Sequence, residues 1–460
     1  MTFAPDLGSA WRGRSALLAA LLLVLALPSC GPEERRRRVL LIGIDGASPR
    51  VAFPMMDEGR LPNLAAIARE GVRGRLRSVL PLYSPRIWNT IATGRPTEQH
   101  GIAAFVQKSE TGEKHLYLSG DRRVPALWNI LSDQGRSVGV VNWWTTYPPE
   151  RIDGVMVSDH FFPEQIEMIK RTFEDERASH GALVHPESWQ PRAQALLESS
   201  EPALAIGDPF AGNGAMPHWV NRDVLSRQYR TDAEVTRVAL GVIADHDPDV
   251  MLVFLPGIDR VSHWLWGNLE PAEKYPETLR PSDGERVAGA AALRRYYEYT
   301  DELIGLLVAD YSPEDLVVVI SDHGFEAQVS LMLLTGGHDT PAALDGVIFA
   351  RGHGIARGLS PGRLSVFDVA PTVLAWLRIP VSRDMPGRPA RFLGLEPAPR
   401  IASYDGLEVE RIHDAASGRE EDIVEHLRAL GYLEDKLEEK LEDEPEDEPS
   451  EKPADEGAED

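Results

Sequence analysis

Short unbroken apolar runs alternate along this chain with longer stretches whose apolar positions recur every three to four residues. Val39–Asp45 (VLLIGID) is one such run, and it stops at an Asp-Gly pair. Ser137–Trp143 (SVGVVNW), Asp249–Asp259 (DVMLVFLPGID), Asp315–Gly324 (DLVVVISDHG) and Asp345–Gly352 (DGVIFARG) share its form. Segments of this length, apolar at successive positions, read as strands buried on both faces. Leu61–Gly71, Leu127–Gly135, Ala288–Val308 and Val366–Leu377 read as helices; the first has proline near its start and glycine at its end. Strands alternating with helices predict an α/β fold, a doubly wound and mostly parallel sheet with helices on both faces.

The rhythm breaks between about His160 and Pro217, a region rich in Pro, Glu and Ser. It is expected to be a cap insertion over the sheet edge, with a smaller insertion from His263 to about Asp283. Residues 39–400 then form one catalytic domain and 401–433 a C-terminal helical segment. Residues 434–460 hold 15 acidic residues and three lysines, too few apolar groups for a core, and predict a disordered acidic tail. Of the net charge of −24, this tail carries −12, so the body is only moderately acidic. That balance argues against nucleic-acid binding as a main role.

The only cysteine is Cys30, so no disulfide forms within the chain. Arg12 and Arg14 precede the apolar run Ser15–Cys30 (SALLAALLLVLALPSC), a basic n-region and an h-region too short for a transmembrane span. The run resembles a bacterial lipoprotein signal: residues 1–29 a signal peptide, Cys30 lipidated, residues 30–38 a tether. The resemblance implies a membrane anchor and an extracytoplasmic place in the cell envelope, on the periplasmic face or the cell surface.

Possible ligands gather at the strand ends. Asp45 ends the first run and Asp259 the third, with His263 four residues on. Asp322 and His323 end the fourth, and His338 precedes the fifth. Ligand crevices in open α/β sheets lie outside the carboxyl ends of the strands, so these distant residues are expected to converge. Alone, an aspartate there is more often a turn or capping residue, Asp259 with His263 reads as an ordinary exposed helix pair, and a lone histidine means little. Three carboxylates with three imidazoles are a mixture that suits zinc, and six ligands suit two ions roughly 4 Å apart.

One hydroxyl stands out near them. In YSPRIWNTIATG, Pro85 favours the first position of a helix over Pro85–Thr93, and Ser84 is expected at its N-cap. A hydroxyl there faces free N–H groups and the positive end of the helix dipole, which favour an alkoxide and a phosphate oxygen.

Together LLIGIDG, YSPRIWNTIATGRPTEQHGI, GVVNWWTTYPPE, LPGIDRVSHWLW, VISDHGF, GGHDTPAALDGVIFARGHGI and SVFDVAPTVLAWLRIPVSRDMPGRP resemble the alkaline phosphatase superfamily. The nearest branch is the type I phosphodiesterases and nucleotide pyrophosphatases. The resemblance implies two divalent metal ions, zinc above all: one on Asp259, His263 and His338, the other on Asp45, Asp322, His323 and the Ser84 hydroxyl. Ser84 would be the nucleophile and a phosphate ester the substrate. The branch places a phosphate-binding asparagine where this chain has Phe105, so another donor is expected, with Arg86, Lys108 and Asn142 as candidates. Trp143, Trp144, Trp264 and Trp266 are candidates to flank the site, against the plainer reading of core packing. The same scaffold would serve a phosphoryl or phospho-alcohol transferase acting on envelope glycans or lipids, and a non-catalytic envelope lipoprotein is the third reading.

Overall fold

The computed structural model describes residues 1, 36–108, 114–162, 182–200, 207–212, 216–330, 333–394 and 398–409. The chain divides into Met1–Arg37 and Arg38–Asp460, and every element named here belongs to the second unit. The expected signal peptide, Cys30, much of the insertion, the C-terminal segment beyond residue 409 and the acidic tail lie outside the described residues. No described helix is long and apolar enough to cross a membrane.

Among the described residues nine strands form the main sheet: β1 (Val39–Ile44), β2 (Val72–Arg77), β5 (Val138–Val141), β6 (Gly154–Val157), β7 (Val184–His185), β8 (Val250–Leu255), β9 (Leu316–Ile320), β12 (Asp345–Arg351) and β13 (Arg363–Ser365), in the order β13–β2–β12–β9–β1–β8–β5–β6–β7. Strand β1 lies at the centre, parallel to both β8 and β9. All residues of these three strands are buried. Successive side chains point to opposite faces. Leu40, Ile42 and Ile44 join the core beneath helices α1 (Pro49–Asp57), α2 (Pro62–Glu70), α7 (Arg222–His246) and α9 (Asp283–Val308). Val39 and Leu41 join the opposite core, beneath α3 (Ser84–Thr93), α5 (Leu127–Asp133) and α10 (Val369–Trp376). The helices therefore cover both faces, as expected.

Two details depart from the sequence expectation. Strand β12 runs antiparallel to both β2 and β9. A parallel return needs a crossover connection, usually a helix. Here β9 is followed instead by the hairpin β10 (Glu326–Ser330) and β11 (Leu333–Gly337), and an apolar run carries no mark of its direction. The insertion also contributes to the sheet: β7 pairs with β6, and helix α6 (Gln190–Leu197) adds buried Ala193 to the same core as Trp189 and Phe210. A two-residue strand leaves no periodicity to read.

One close approach positions the site. A Cβ on Gly43 would lie 2.6 Å from the Trp88 ring. Glycine in β1 therefore lets α3 pack directly on the strand that ends at Asp45, bringing the start of α3 to that carboxylate.

Candidate active site

Asp45 follows β1, and Asp322 and His323 follow β9, its neighbour. Asp259 was expected at a strand end; β8 instead stops at Leu255, and Asp259 lies in the first turn of α8 (Gly257–Leu265). Asp259 and His263 thus share one helix face at i and i+4. His338 follows β11, so the hairpin carries it to the sheet's carboxyl end.

Ser84 is the first residue of α3, with Tyr83 at the N-cap, so it is not the capping residue expected from the sequence. Pro85 fits at the second helical position as readily as at the first, which moves the helix start back one residue. The Ser84 hydroxyl, 1 % exposed, faces Asp45 Oδ1 at 3.5 Å, a long contact rather than a tight hydrogen bond.

The six expected ligands converge. His323 Nε2 lies 3.4 Å from Asp45 Oδ1, 3.5 Å from Asp322 Oδ2 and 3.9 Å from Asp259 Oδ1. Asp259 Oδ1 is also 3.6 Å from both His263 Nε2 and His338 Nε2. These separations are too long for good hydrogen bonds. Donors about 2 Å from one ion in tetrahedral geometry stand roughly 3.3 Å apart, so the spacing is that of ligands around a cation. Among the described residues two groups, Asp259–His263–His338 and Asp45–Asp259–His323, have potential ligand atoms all within 4.8 Å of one another. Asp259 is common to both, which the family-based partition did not anticipate.

The electrostatics and tautomers fit the same reading. Burial, with repulsion from Asp322 and Asp259, holds Asp45 well above the usual carboxylate range. Burial also pushes Asp322 up. Burial, then His323 and His263, hold His338 well below its ordinary value, so it is neutral. The site thus crowds buried carboxylates beside a neutral imidazole, an arrangement that an inserted cation relieves. His323 Nδ1–H donates to Gly324 O at 3.0 Å and His263 Nδ1–H to Gly336 O at 3.2 Å, which leaves each Nε2 lone pair facing the cluster. His323 Nε2 is buried without a hydrogen-bond partner.

The other candidates lie in the first turn of α3, in the loop after β5 and at the end of a further strand. Arg86 is half-buried; burial pulls its guanidinium down, opposed by the nearby Glu98 carboxylate and Tyr83. Asn142 is fully buried with a left-handed backbone (φ 63°) and donates to Phe254 O at 3.1 Å, which anchors the loop after β5. Lys108 ends β3 (Val106–Lys108), and its side chain lies outside the described residues. Phe105 is buried edge-on to Trp144, with ring centroids 5.4 Å apart. Trp143 and Trp266 are core residues, whereas Trp144 and Trp264 are partly buried at its margin.

Sequence reasoning missed Phe325. Its ring stands 5.1 Å from that of His263 and 5.2 Å from that of His338, and it walls the imidazoles on one side. Its place two residues after His323 was the one available signal.

The sequence model of the type I phosphodiesterase / nucleotide pyrophosphatase family matches residues 39–333. No curated protein matches the chain. Among solved structures, a 2-O GAG sulfatase is 13 % identical over 80 % of this chain and 76 % of its own, with a TM-score of 0.50. Phosphonoacetate hydrolase from Sinorhizobium meliloti, in complex with phosphonoacetate, is 20 % identical over 64 % of this chain, with a TM-score of 0.39. This chain spans 58 % of that hydrolase's length. Human ectonucleotide pyrophosphatase / phosphodiesterase 5 is 12 % identical over 77 % of this chain and 98 % of its own, with a TM-score of 0.43. At 13 % identity the likeness to the sulfatase is one of fold alone.

Proposed function

The chain belongs to the type I phosphodiesterase / nucleotide pyrophosphatase family of the alkaline phosphatase superfamily, hydrolases of phosphoric ester bonds, and on that premise we propose that it cleaves a phosphate mono- or diester through a covalent phosphoserine at Ser84. The observation that carries this reading is the buried Ser84 hydroxyl facing Asp45 beside five clustered candidate ligands, with Asp322 3.5 Å from His323.

The Ser84 Oγ–P bond forms in line as the bond from phosphorus to the leaving oxygen breaks, and the leaving group departs with a proton. Water then attacks the phosphoserine, the Oγ–P bond breaks, and Ser84 recovers its proton. The first free amides of α3 and its dipole supply positive potential where the phosphate oxygens would lie. Asp259, His263 and His338 would hold one divalent ion, and Asp45, Asp322 and His323, with Ser84, a second; the nitrogen and oxygen donor set suits zinc. Bound there, the ions would lower the hydroxyl's pKa and offset the developing negative charge. The signal-like run ending at Cys30 supports a lipid-anchored, extracytoplasmic place for this chemistry.

Ser84→Ala should reduce turnover of p-nitrophenyl phosphate and bis(p-nitrophenyl) phosphate by about 10³-fold or more, with metal content and circular dichroism unchanged. Wild-type turnover in that variant would overturn the mechanism. The ratio of the two substrates reports monoester against diester preference, and capture of the phosphoryl group by added alcohols reports transfer.

A further inference from the structure

Behind the helix that carries Ser84 lies a buried charged network that the chemistry above does not use. Arg122 is 1 % exposed and Glu150 is fully buried, and their Nη2–Oε2 separation is 2.5 Å. The Trp128 indole N–H and the Asn129 amide also donate to Glu150 Oε2. The other arm of Arg122 donates to Thr145 O at 3.1 Å and to Asn89 Oδ1 at 3.3 Å. Asn89, fully buried in α3, donates from Nδ2 to Thr145 Oγ1 and, at 2.7 Å, to Pro85 O.

Pro85 O belongs to the peptide unit that joins Pro85 to Arg86. A peptide group is planar, so fixing its oxygen fixes the direction of the Arg86 N–H on the other side. Pro85 has no N–H of its own, and the Ile87 N–H is taken by Tyr83 O at 3.1 Å. The Arg86 N–H therefore stands with that of Ser84 ahead of the internal ladder of the helix. A cation acting on Asn89 Oδ1 polarises the amide, which polarises the Pro85–Arg86 peptide in turn. Burying an ion pair brings little stability by itself, because an apolar replacement of similar shape is often as stable. What this pair does bring is a fixed first turn of α3. The loop after β5 reinforces it, with Thr145 in a left-handed conformation (φ 57°), its N–H donating to Asp159 Oδ2 at 2.8 Å, and the Trp143 indole donating to Trp88 O at 3.2 Å.

We propose that Asn89 and Arg122, with Glu150 as counter-ion, are positioning residues that hold the first turn of α3, setting the Ser84 hydroxyl and the Arg86 main-chain N–H for a phosphate oxygen. The proposal rests on the phosphoserine reading above. It also supplies a donor where Phe105 replaces the asparagine expected from the family.

The test uses the full metal-loaded protein with p-nitrophenyl phosphate as substrate and orthovanadate as inhibitor. Asn89→Asp keeps the acceptor for Arg122 and removes both donors; Arg122→Lys keeps the charge opposite Glu150 but gives up the fork that reaches Asn89. Each should lower kcat about 10- to 100-fold with little change in KM and weaken vanadate inhibition in parallel, while zinc content is unchanged. Arg122→Lys remains informative if Asn89→Asp does not fold. Wild-type kcat and vanadate affinity in either folded, zinc-loaded variant would overturn the proposal. If Ser84→Ala is inactive while these variants behave as wild type, only the positioning role fails; if Ser84→Ala stays active, the phosphoserine reading fails first.

Discussion

His100 shows how one side chain joins the hydrogen-bonding of α3 to the acid stability of the protein. It is fully buried. The Ile102 N–H donates to its Nδ1 at 3.2 Å, so the proton sits on Nε2, which donates to Thr90 Oγ1 at 3.0 Å. Thr90 donates onward to Arg86 O at 3.1 Å. A second proton would have to displace the Ile102 N–H. Burial, then the nearby Arg122 and Arg86, push the imidazole down to about 3. A folded pKa below the unfolded value means that the unfolded chain binds the extra proton first. Stability is therefore intact above about pH 6.5 and falls progressively as the pH drops toward 3. Relative to a His100→Gln variant, the wild type should lose about 2 kcal/mol more between pH 7 and pH 5, measured by urea unfolding. Parallel pH profiles for the two proteins would show that His100 is not a neutral buried imidazole.

At the scale of elements, α8 is the one whose placement decides most, since it delivers Asp259 and His263 together. Its first turn is held from behind: the Gly257 N–H donates to Asp232 Oδ1 at 3.2 Å, and Tyr296 donates to Asp232 Oδ2 at 2.9 Å. A Cβ on Gly257 would lie 1.9 Å from Tyr296 Oη and 2.3 Å from Asp232 Oδ2. Gly257→Ala should therefore displace the start of the helix and cost about 1–3 kcal/mol in stability. Zinc affinity should fall about 10- to 100-fold because two ligands move together. Isothermal titration of the chelator-treated protein checks this, and an unchanged affinity would mean that α8 does not carry ligands.

For the whole molecule, the consequence of three buried carboxylates is a dependence on bound cations. In the metal-free protein, burial with repulsion from Asp322 and Asp259 raises Asp45, and burial with repulsion from Asp259 raises Asp322. An ion that binds only the folded chain stabilises it by about 2.7 kcal/mol at a hundred times its Kd. Zinc added to chelator-treated protein should thus raise the Tm and level off at two equivalents per chain. The absence of any shift would rule out a metal centre at the cluster.

How much of this was open to reading in the sequence depends on the range of the forces involved. The strand runs, the acids at their ends and the hydroxyl at a helix start follow from burial period and helix-end chemistry, which act over a few residues. Asp45, Asp322, His323 and His338 could be named that way, and Ser84 to within one position of the helix boundary. The direction of β12 could not, because an apolar run is the same read either way. Nor could the sharing of Asp259 between two ligand groups, nor the link from Glu150 through Arg122 and Asn89 to the turn that bears Ser84. Those are pairings across tens of residues. Only the packing of α3 and α8 against the central strands brings such partners within bonding distance, and no local pattern records it.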